Sequence, residues 1–357
     1  MVDEPSSNLY TFSKRMVFRV SKWTGLFRFA SWKTKRSLRV LCYHGFSIDD
    51  ESLFRPHLFM QISTFRQRLE YLKRHSFPVL SLNAALSRLA AGTLPSRATV
   101  ITVDDGFYSF YRHAVPLLRE FSFPATVYIA SRDFLRGLPI FRLVVQYMFW
   151  KTRAKTLQLD GLIKAGAGQI SLSSPETSRN VMWEIVQFGD SLSADAQRTE
   201  LVSEVGRRLG IDYQEIVDKR TFCLMNPEEL SNLTSSQIDV QLHTHNHRLP
   251  EDLALAAEEI RQNRQVLAQI VKNPLVHFCY PSGFWTRQHW PILAASGIQS
   301  AMTCEPGLND PHTPNLAMNR FLDGEDILQV EFEAEMSGYA EQLRRVDLRL
   351  WGAPSPC

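Results

Sequence analysis

The distribution of apolar residues predicts that buried strands alternate with amphipathic helices along most of the chain. Thr99–Val103 is a β-branched run without an alternating polar face, which is typical of a strand buried on both sides of a parallel sheet. Further strand-like runs occur at residues 38–44, 78–82, 124–129, 238–243, 276–280 and 298–304. Strands separated by helices pair in parallel through right-handed crossovers. The pattern therefore predicts an α/β protein built as a closed or nearly closed barrel.

This alternation is interrupted between residues 134 and 225. The stretch has mainly helical periodicity, and its strand signals are confined to residues 157–159 and 170–172. We expect a helical insertion on the barrel rim that shapes a substrate groove or a partner surface. The predicted organisation is a basic amphipathic segment (1–37), a barrel with its insertion (38–333) and a polar tail (334–357).

The N-terminal segment combines an apolar pattern with many basic residues. Met16, Val20, Trp23, Phe27 and Ala30 recur at steps of four and three, which predicts one face of a helix. Lysines and arginines interrupt it, so it fits neither a secretory signal nor a spanning helix. Two interpretations remain open: the helix packs on the barrel, or it lies in an anionic membrane interface. We accordingly expect a cytoplasmic protein, placed peripherally at the inner membrane face under the second interpretation.

Composition and charge exclude few classes of function. The chain has 357 residues, of which 44% are hydrophobic and 22% charged, as in an ordinary globular protein. Its net charge of +3 is too small to predict a nucleic-acid partner. Five scattered cysteines imply no disulfide pairing, which favours a reducing compartment. The oligomeric state stays open.

The candidate chemistry lies where two predicted strands end. Asp104 and Asp105 follow the first of these strands, and His243 and His247 follow the second. Ligands collect at the carboxyl ends of parallel strands. If the chain turns into a helix after residue 243, both imidazoles share one face and can hold a cation together with one carboxylate. The second carboxylate is then placed to act as a general base. The alternative is a solvated histidine-rich loop beside an ordinary turn.

Three motifs resemble those of a known family. Residues 102–106 (TVDDG) resemble the first motif of the NodB-homology polysaccharide deacetylases, carbohydrate esterase family 4. Residues 243–247 (HTHNH) are similar to the second motif, and 278–283 (FCYPSG) to the third. Residues 41–44 and the insertion resemble the branch that acts on exopolysaccharides. The likeness runs from about residue 39 to 332 and implies a distorted (β/α) barrel of about seven strands with a helical insertion.

The resemblance also implies roles for individual residues. Asp104 would be the general base, and Asp105, His243 and His247 would hold a divalent metal ion, zinc first, with cobalt, manganese or nickel as alternatives. In the family, metal-bound water is the nucleophile that hydrolyses the N-acetyl group of a sugar. The oxyanion would be held by the ion and by a backbone N–H.

Position assigns that N–H to Ser282, where the family usually has an aromatic residue. Tyr280, Pro281 and Trp285 would line the groove, with Phe284 and Trp285 replacing the missing aromatic wall.

Two further departures concern the groups around the base. Many members carry an arginine in the third motif where this chain has Cys279, and Arg320 is the candidate for an equivalent charge. The family's late histidine, proposed as the general acid, has no clear counterpart. His44 is our candidate, against the alternative of a buried structural histidine.

The expected substrate is an N-acetylated polysaccharide or a glycan precursor, including a lipid- or nucleotide-linked sugar. Two other functions remain open. One is hydrolysis of a non-sugar amide on the same scaffold. The other is non-catalytic glycan binding or assembly, which the altered third motif would permit.

Overall fold

A curled sheet of seven parallel strands forms the centre of the protein, in the order β10-β9-β8-β5-β4-β1-β11. The computed structural model describes residues 5–163, 168–233 and 237–346, with side chains from residue 14 onward. The strands are β1 (Arg39–Tyr43), β2 (Gly45–Phe46), β3 (Phe59–Met60), β4 (Thr99–Val103), β5 (Ala125–Ile129), β6 (Thr156–Gln158), β7 (Gln169–Ser171), β8 (Ile238–Leu242), β9 (His277–Cys279), β10 (Ser300–Met302) and β11 (Phe321–Leu322).

Helices connect these strands and cover the sheet. In chain order they are α1 (Pro5–Trp23), α2 (Leu26–Lys33), α3 (Glu51–Phe54), α4 (Ile62–Arg74), α5 (Leu82–Ala90), α6 (Val115–Phe121), α7 (Ser131–Arg136), α8 (Phe141–Lys151), α9 (Pro175–Ser191), α10 (Asp195–Leu209), α11 (Tyr213–Asp218), α12 (Pro227–Leu233), α13 (Leu253–Leu267), α14 (Trp290–Ala295), α15 (Gln329–Ser337) and α16 (Tyr339–Val346).

The predicted distorted (β/α) barrel is confirmed. Every residue of β1, β4 and β5 is buried, as their largely apolar sequences favour, and the one charged residue among them, Arg39, donates to the Met336 carbonyl. The sequence pattern did not reveal β11, which has only two residues and pairs with β1 at the sheet edge. The predicted strand at 78–82 is reduced to a single bridge between Val79 and Thr99.

The stretch predicted as a helical insertion contains α8 to α11 and the antiparallel β6–β7 hairpin. It contacts the segment that follows β1 and β2. The Tyr147 hydroxyl donates to Asp50 (2.5 Å), and the Phe54 and Tyr147 rings meet edge to face. These contacts place the insertion on the rim at the carboxyl end of the barrel.

The prediction of one continuous N-terminal helix face is wrong. Helix α1 ends at Trp23, Gly25 takes a left-handed φ of 84°, and α2 starts at Leu26. The break gives α2 a different orientation from α1, so Phe27 and Ala30 on α2 are buried while Trp23 at the end of α1 is exposed. No helix among the described residues is long and apolar enough to cross a membrane.

Candidate active site

The carboxyl ends of β4, β8 and β9 bring the predicted site residues together. Asp104 directly follows β4, and its backbone N–H donates to the Tyr43 carbonyl on β1 (2.9 Å). Asp105 then takes a left-handed φ of 68°, which turns its carboxylate toward the histidines after β8. Gly106 has a left-handed φ of 85°, which favours glycine, and a Cβ there would lie 2.4 Å from Ile129 Cδ1.

Asp104 is held by Arg320 at the centre of the barrel. The two guanidinium nitrogens each donate to one carboxylate oxygen at 2.8 Å, and both side chains are buried. Burial by itself would raise the pKa of Asp104, but the Arg320 charge outweighs it and holds that pKa well below its usual range. Asp104 is therefore an oriented carboxylate at neutral pH. The charge expected from Arg320 is present, and its role in catalysis stays a prediction.

Two buried thiols also face Asp104. Cys279 Sγ lies 3.2 Å and Cys42 Sγ 3.6 Å from Asp104 Oδ2. Burial raises the pKa of both thiols well above the usual value, so they remain protonated and donate to the carboxylate. Cys279 thus contacts the expected base at the position for which the resemblance implied an arginine. We did not predict either contact.

His44 lies beside the same carboxylate. Its Nε2 atom is 3.9 Å from Asp104 Oδ2, which is too long for a hydrogen bond. The side chain is only 9% exposed, and burial lowers its pKa. The structure thus places His44 next to the predicted base, while its assignment as general acid stays a prediction.

Asp105, His243 and His247 form the candidate metal centre. Asp105 Oδ1 lies 3.4 Å from His243 Nε2 and 3.0 Å from His247 Nε2. This oxygen is buried and has no hydrogen-bond partner among the described residues. A buried carboxylate oxygen without a donor is costly unless a cation binds it. One carboxylate and two imidazoles are ligands that zinc accepts, so these residues fit a divalent ion.

The His243 ring is oriented by its other nitrogen. Nδ1 donates to the Cys279 carbonyl oxygen at 2.8 Å, which leaves the Nε2 lone pair directed at Asp105. An N–H bond of this kind fixes both the tautomer and the ring orientation of a metal-binding histidine. His243 is therefore presented in the form that a cation requires.

The loop that carries the two histidines is not a helix, and the helical arrangement considered from their spacing is wrong. Thr244 and His247 have left-handed φ values of 63° and 52°, which break helical geometry. The loop nevertheless brings the two rings to a centroid distance of 4.9 Å. His245 points elsewhere, because its Nδ1 atom pairs with the Ser131 hydroxyl at 2.9 Å.

Two residues of α13 hold this loop, and we did not predict them. The Asn263 side chain accepts from the His243 backbone N–H and donates to the Ile129 carbonyl, both at 2.9 Å. Glu259 accepts from the backbone and the side-chain amide of Asn246, both at 2.7 Å. Both residues interrupt the apolar face of α13, which also carries Ala256 and Ile260. Polar residues at core-facing positions of an amphipathic helix were the signal that could have found them.

The third motif adjoins the site through Cys279, which contacts both Asp104 and the His243 ring. Pro281–Gly283 is a single helical turn in which Ser282 has a φ of 56° and an exposed side chain. The Tyr280 hydroxyl donates to the Leu316 carbonyl, and the Tyr280 and Trp285 rings stack at 5.8 Å. Beside them lies an open cavity of about 330 Å³, whose lining includes Trp285, Trp290 and His312.

Comparison with known proteins agrees with this geometry. A family model described as polysaccharide deacetylase matches residues 208–301, which include the second and third motifs. Over 80 residues the chain is 29% identical to the poly-beta-1,6-N-acetyl-D-glucosamine N-deacetylase of Escherichia coli (strain K12). That segment spans 22% of this chain and only 12% of the relative.

The fold is also that of solved deacetylase structures. The chain superimposes on the Streptococcus pyogenes deacetylase PplD with a TM-score of 0.55 and 15% identity, covering 84% of this chain and 98% of that one. For IcaB from Ammonifex degensii the TM-score is 0.54 and the identity 19%, over 84% and 97% of the two chains. The predicted resemblance to the NodB-homology polysaccharide deacetylases, in the exopolysaccharide branch, is thereby confirmed.

Proposed function

We propose that the protein is a metal-dependent hydrolase that removes N-acetyl groups from an N-acetylated polysaccharide or glycan precursor. One observation carries the proposal, which is that a fixed carboxylate lies beside a set of metal-binding side chains. Arg320 fixes the carboxylate of Asp104. The next residue, Asp105, has a ligand atom within 4.8 Å of those of His243 and His247. A fixed proton acceptor beside a cation site suits hydrolysis of an amide by water. The matches to deacetylases support the substrate class.

Asp105, His243 and His247 are the residues that would hold the ion. When bound, a divalent cation polarises an amide carbonyl and lowers the pKa of water. Zinc is the first candidate, and cobalt, manganese and nickel are alternatives because an Asp-His-His set accepts several ions.

The residues around Asp104 determine how it would act. Arg320 donates to both oxygens of the carboxylate, and the Cys279 and Cys42 thiols donate to Oδ2. Oδ1 accepts only from Arg320, so it keeps a lone pair to accept a proton from the attacking water. Arg320 and Cys279 keep the carboxylate from rotating, so its position is fixed before substrate arrives.

In the proposed reaction the water oxygen bonds to the acetyl carbon, and the bond from that carbon to the sugar nitrogen breaks. Asp104 takes a proton from the water and passes it to the neutral His44 ring, and His44 gives that proton to the departing amine. The Ser282 backbone N–H would donate to the oxyanion. The products are acetate and a free amino sugar.

The substrate groove would run along the third motif. Stacked aromatic rings favour contact with the apolar faces of sugars, while polar groups set the orientation. Trp285 has both features, because its ring stacks on Trp290 at 5.9 Å and its Nε1 atom donates to Glu305 at 3.2 Å. The cavity of about 330 Å³ next to it lies within the size range of small-molecule sites.

Acetate release from N-acetylglucosamine oligomers by the metal-loaded protein tests the proposal. The expected result is metal-dependent release that disappears in an Asp105→Asn variant. Cyclic imides and ureides serve as the comparison for non-sugar amides. Release from these compounds alone, or stoichiometric metal binding without release from any sugar substrate, would contradict the proposal.

A further inference from the structure

The two N-terminal helices are docked on the C-terminal helices through a small aromatic cluster. Phe18 on α1 and Phe27 on α2 both contact the Tyr339 ring, at centroid distances of 6.1 Å and 5.2 Å. The Ser21 hydroxyl donates to the Tyr339 hydroxyl at 2.8 Å. Ala334 and Ala340 complete the cluster. These contacts fix which face of each helix is buried and leave the opposite faces pointing away from the barrel.

Those opposite faces are strongly apolar. Of the 16 exposed large hydrophobic side chains among the described residues, seven lie within residues 16–32. On α2, Phe29 and Trp32 are 60% and 63% exposed, and their rings lie 6.0 Å apart. Trp23, at the end of α1, is 89% exposed. The remaining members are Met16, Val17, Val20 and Leu26. Such a concentration of exposed apolar groups on a protein surface indicates a site of contact with another protein or a membrane.

The same segment is exclusively basic. Residues 14–36 contain eight lysines and arginines and no aspartate or glutamate. Three of the eight form ion pairs with Glu331 and Glu333 on α15, which strengthens the docking of α1. The other five have no ion-pair partner among the described residues: Arg19, Arg28, Lys33, Lys35 and Arg36. The exposed aromatic groups are thus surrounded by uncompensated positive charge.

We propose that α1 and α2 form a docking surface for an anionic lipid bilayer, with Trp23, Phe29 and Trp32 inserted at the headgroup level. Tryptophan is favoured at this depth because its ring is apolar and its N–H is polar. Lysine and arginine beside it extend their charged groups to lipid phosphates. The proposal does not rest on the proposed enzymatic activity.

Charge decides between a bilayer and a second copy of the chain. If two copies met through this surface, the five uncompensated cations of each would face one another, and like charges across an interface oppose association. An anionic bilayer instead attracts each of them. The surface therefore suits lipid as its occupant.

Vesicle cosedimentation of the full chain tests the proposal. We expect binding to phosphatidylcholine–phosphatidylglycerol vesicles, little binding to phosphatidylcholine alone, and weaker binding at high salt. The variant Trp23→Ser/Phe29→Ser/Trp32→Ser removes the inserted apolar groups and should weaken vesicle binding more than about tenfold. The variant Arg28→Gln/Lys33→Gln/Lys35→Gln removes three positive charges and should weaken vesicle binding about hundredfold. The matched control, Leu53→Ser/Leu135→Ser/Leu255→Ser, removes exposed apolar residues elsewhere and should bind as the wild type does.

Quenching of tryptophan fluorescence by brominated lipids provides a second readout. Trp23→Phe/Trp32→Phe keeps the apolar surface, so it should still bind while losing most of the quenching. Absence of wild-type binding to anionic vesicles would overturn the proposal. So would equal loss of binding in the control variant. Concentration-dependent self-association that the triple serine variant abolishes, without vesicle binding, would assign the surface to a second copy instead.

Discussion

Arg320 and Asp104 form a bidentate ion pair, with both N–O distances at 2.8 Å and side chains that are 0% and 3% exposed. The pair joins the residue after β4 to the residue before β11, 216 residues further along the chain. A guanidinium fork restrains a carboxylate in two directions, which a single ammonium group cannot do. The orientation of the predicted base thus depends on a residue far outside the three motifs.

We expect Arg320→Lys to lower kcat about tenfold to a hundredfold, because the positive charge remains but the carboxylate is no longer held in two directions. KM and zinc affinity should change little, which separates positioning of the base from damage to the metal site. Arg320→Met leaves a buried unpaired carboxylate and should cost about 3–5 kcal/mol of stability. A kcat unchanged by the lysine substitution would contradict the positioning role.

Metal binding should depend on Asp105, His243 and His247 but not on their neighbour His245. We expect His243→Ala to abolish stoichiometric zinc binding, measured by metal analysis of the dialysed protein and by calorimetric titration. His245→Ala is the matched control, because that ring contacts Ser131 instead of Asp105. Equal zinc retention in the two variants would exclude the site.

Glu259 should influence metal affinity without touching the ion. Glu259→Gln removes a negative acceptor from the two Asn246 amides and loosens the loop that carries His247. We expect zinc affinity to fall about tenfold, as is typical when a group that orients a ligand is lost. Glu258→Gln is the control and should have no effect on zinc affinity, because the Glu258 side chain is half-exposed and pairs with Arg261 instead of Asn246. The same change in affinity for both variants would contradict this role.

His277 should make the protein sensitive to mild acid. Its Nε2–H donates to Asn83 Oδ1, and its Nδ1 accepts from the Ser300 hydroxyl, both at 2.8 Å, as suits a neutral ring. Burial lowers its pKa from 6.5 to about 4. The unfolded chain therefore binds the proton first, so this contribution to stability is present above pH 6.5 and is lost between pH 6.5 and about 4.

The expected loss is about 3 kcal/mol over that interval. Urea unfolding at a series of pH values measures it. In His277→Gln the loss of unfolding free energy between pH 6.5 and about 4 should be smaller than in the wild type by this amount. His312 is exposed, so His312→Gln should lose as much unfolding free energy as the wild type. An unchanged slope in His277→Gln would contradict the prediction.

The barrel could be predicted because strands such as β4 and β5 are largely apolar runs, which are recognisable without knowledge of the strands they pair with. The edge strand β11 could not, because a pair of residues carries no periodicity. The N-terminal face was predicted wrongly because Gly25 interrupts the helix, and a glycine within an apolar pattern does not by itself reveal a break.

In the candidate site, too, some features could be predicted from the sequence and others could not. Adjacent carboxylates and closely spaced histidines are visible in the sequence, so the cluster of Asp105, His243 and His247 could be predicted. Its local geometry could not, because left-handed residues such as Thr244 are not glycines and give no signal. The Cys279 thiol reaches Asp104 only because the sheet curls, which is a property of the whole barrel.

The most direct test of the account compares wild type with Asp104→Asn for acetate release and bound zinc in the same preparations. We predict that the variant binds zinc as the wild type does and releases no acetate from N-acetylglucosamine oligomers, because it has lost only the proton acceptor. Acetate release at the wild-type rate by zinc-loaded Asp104→Asn would contradict the assignment of Asp104 as the base.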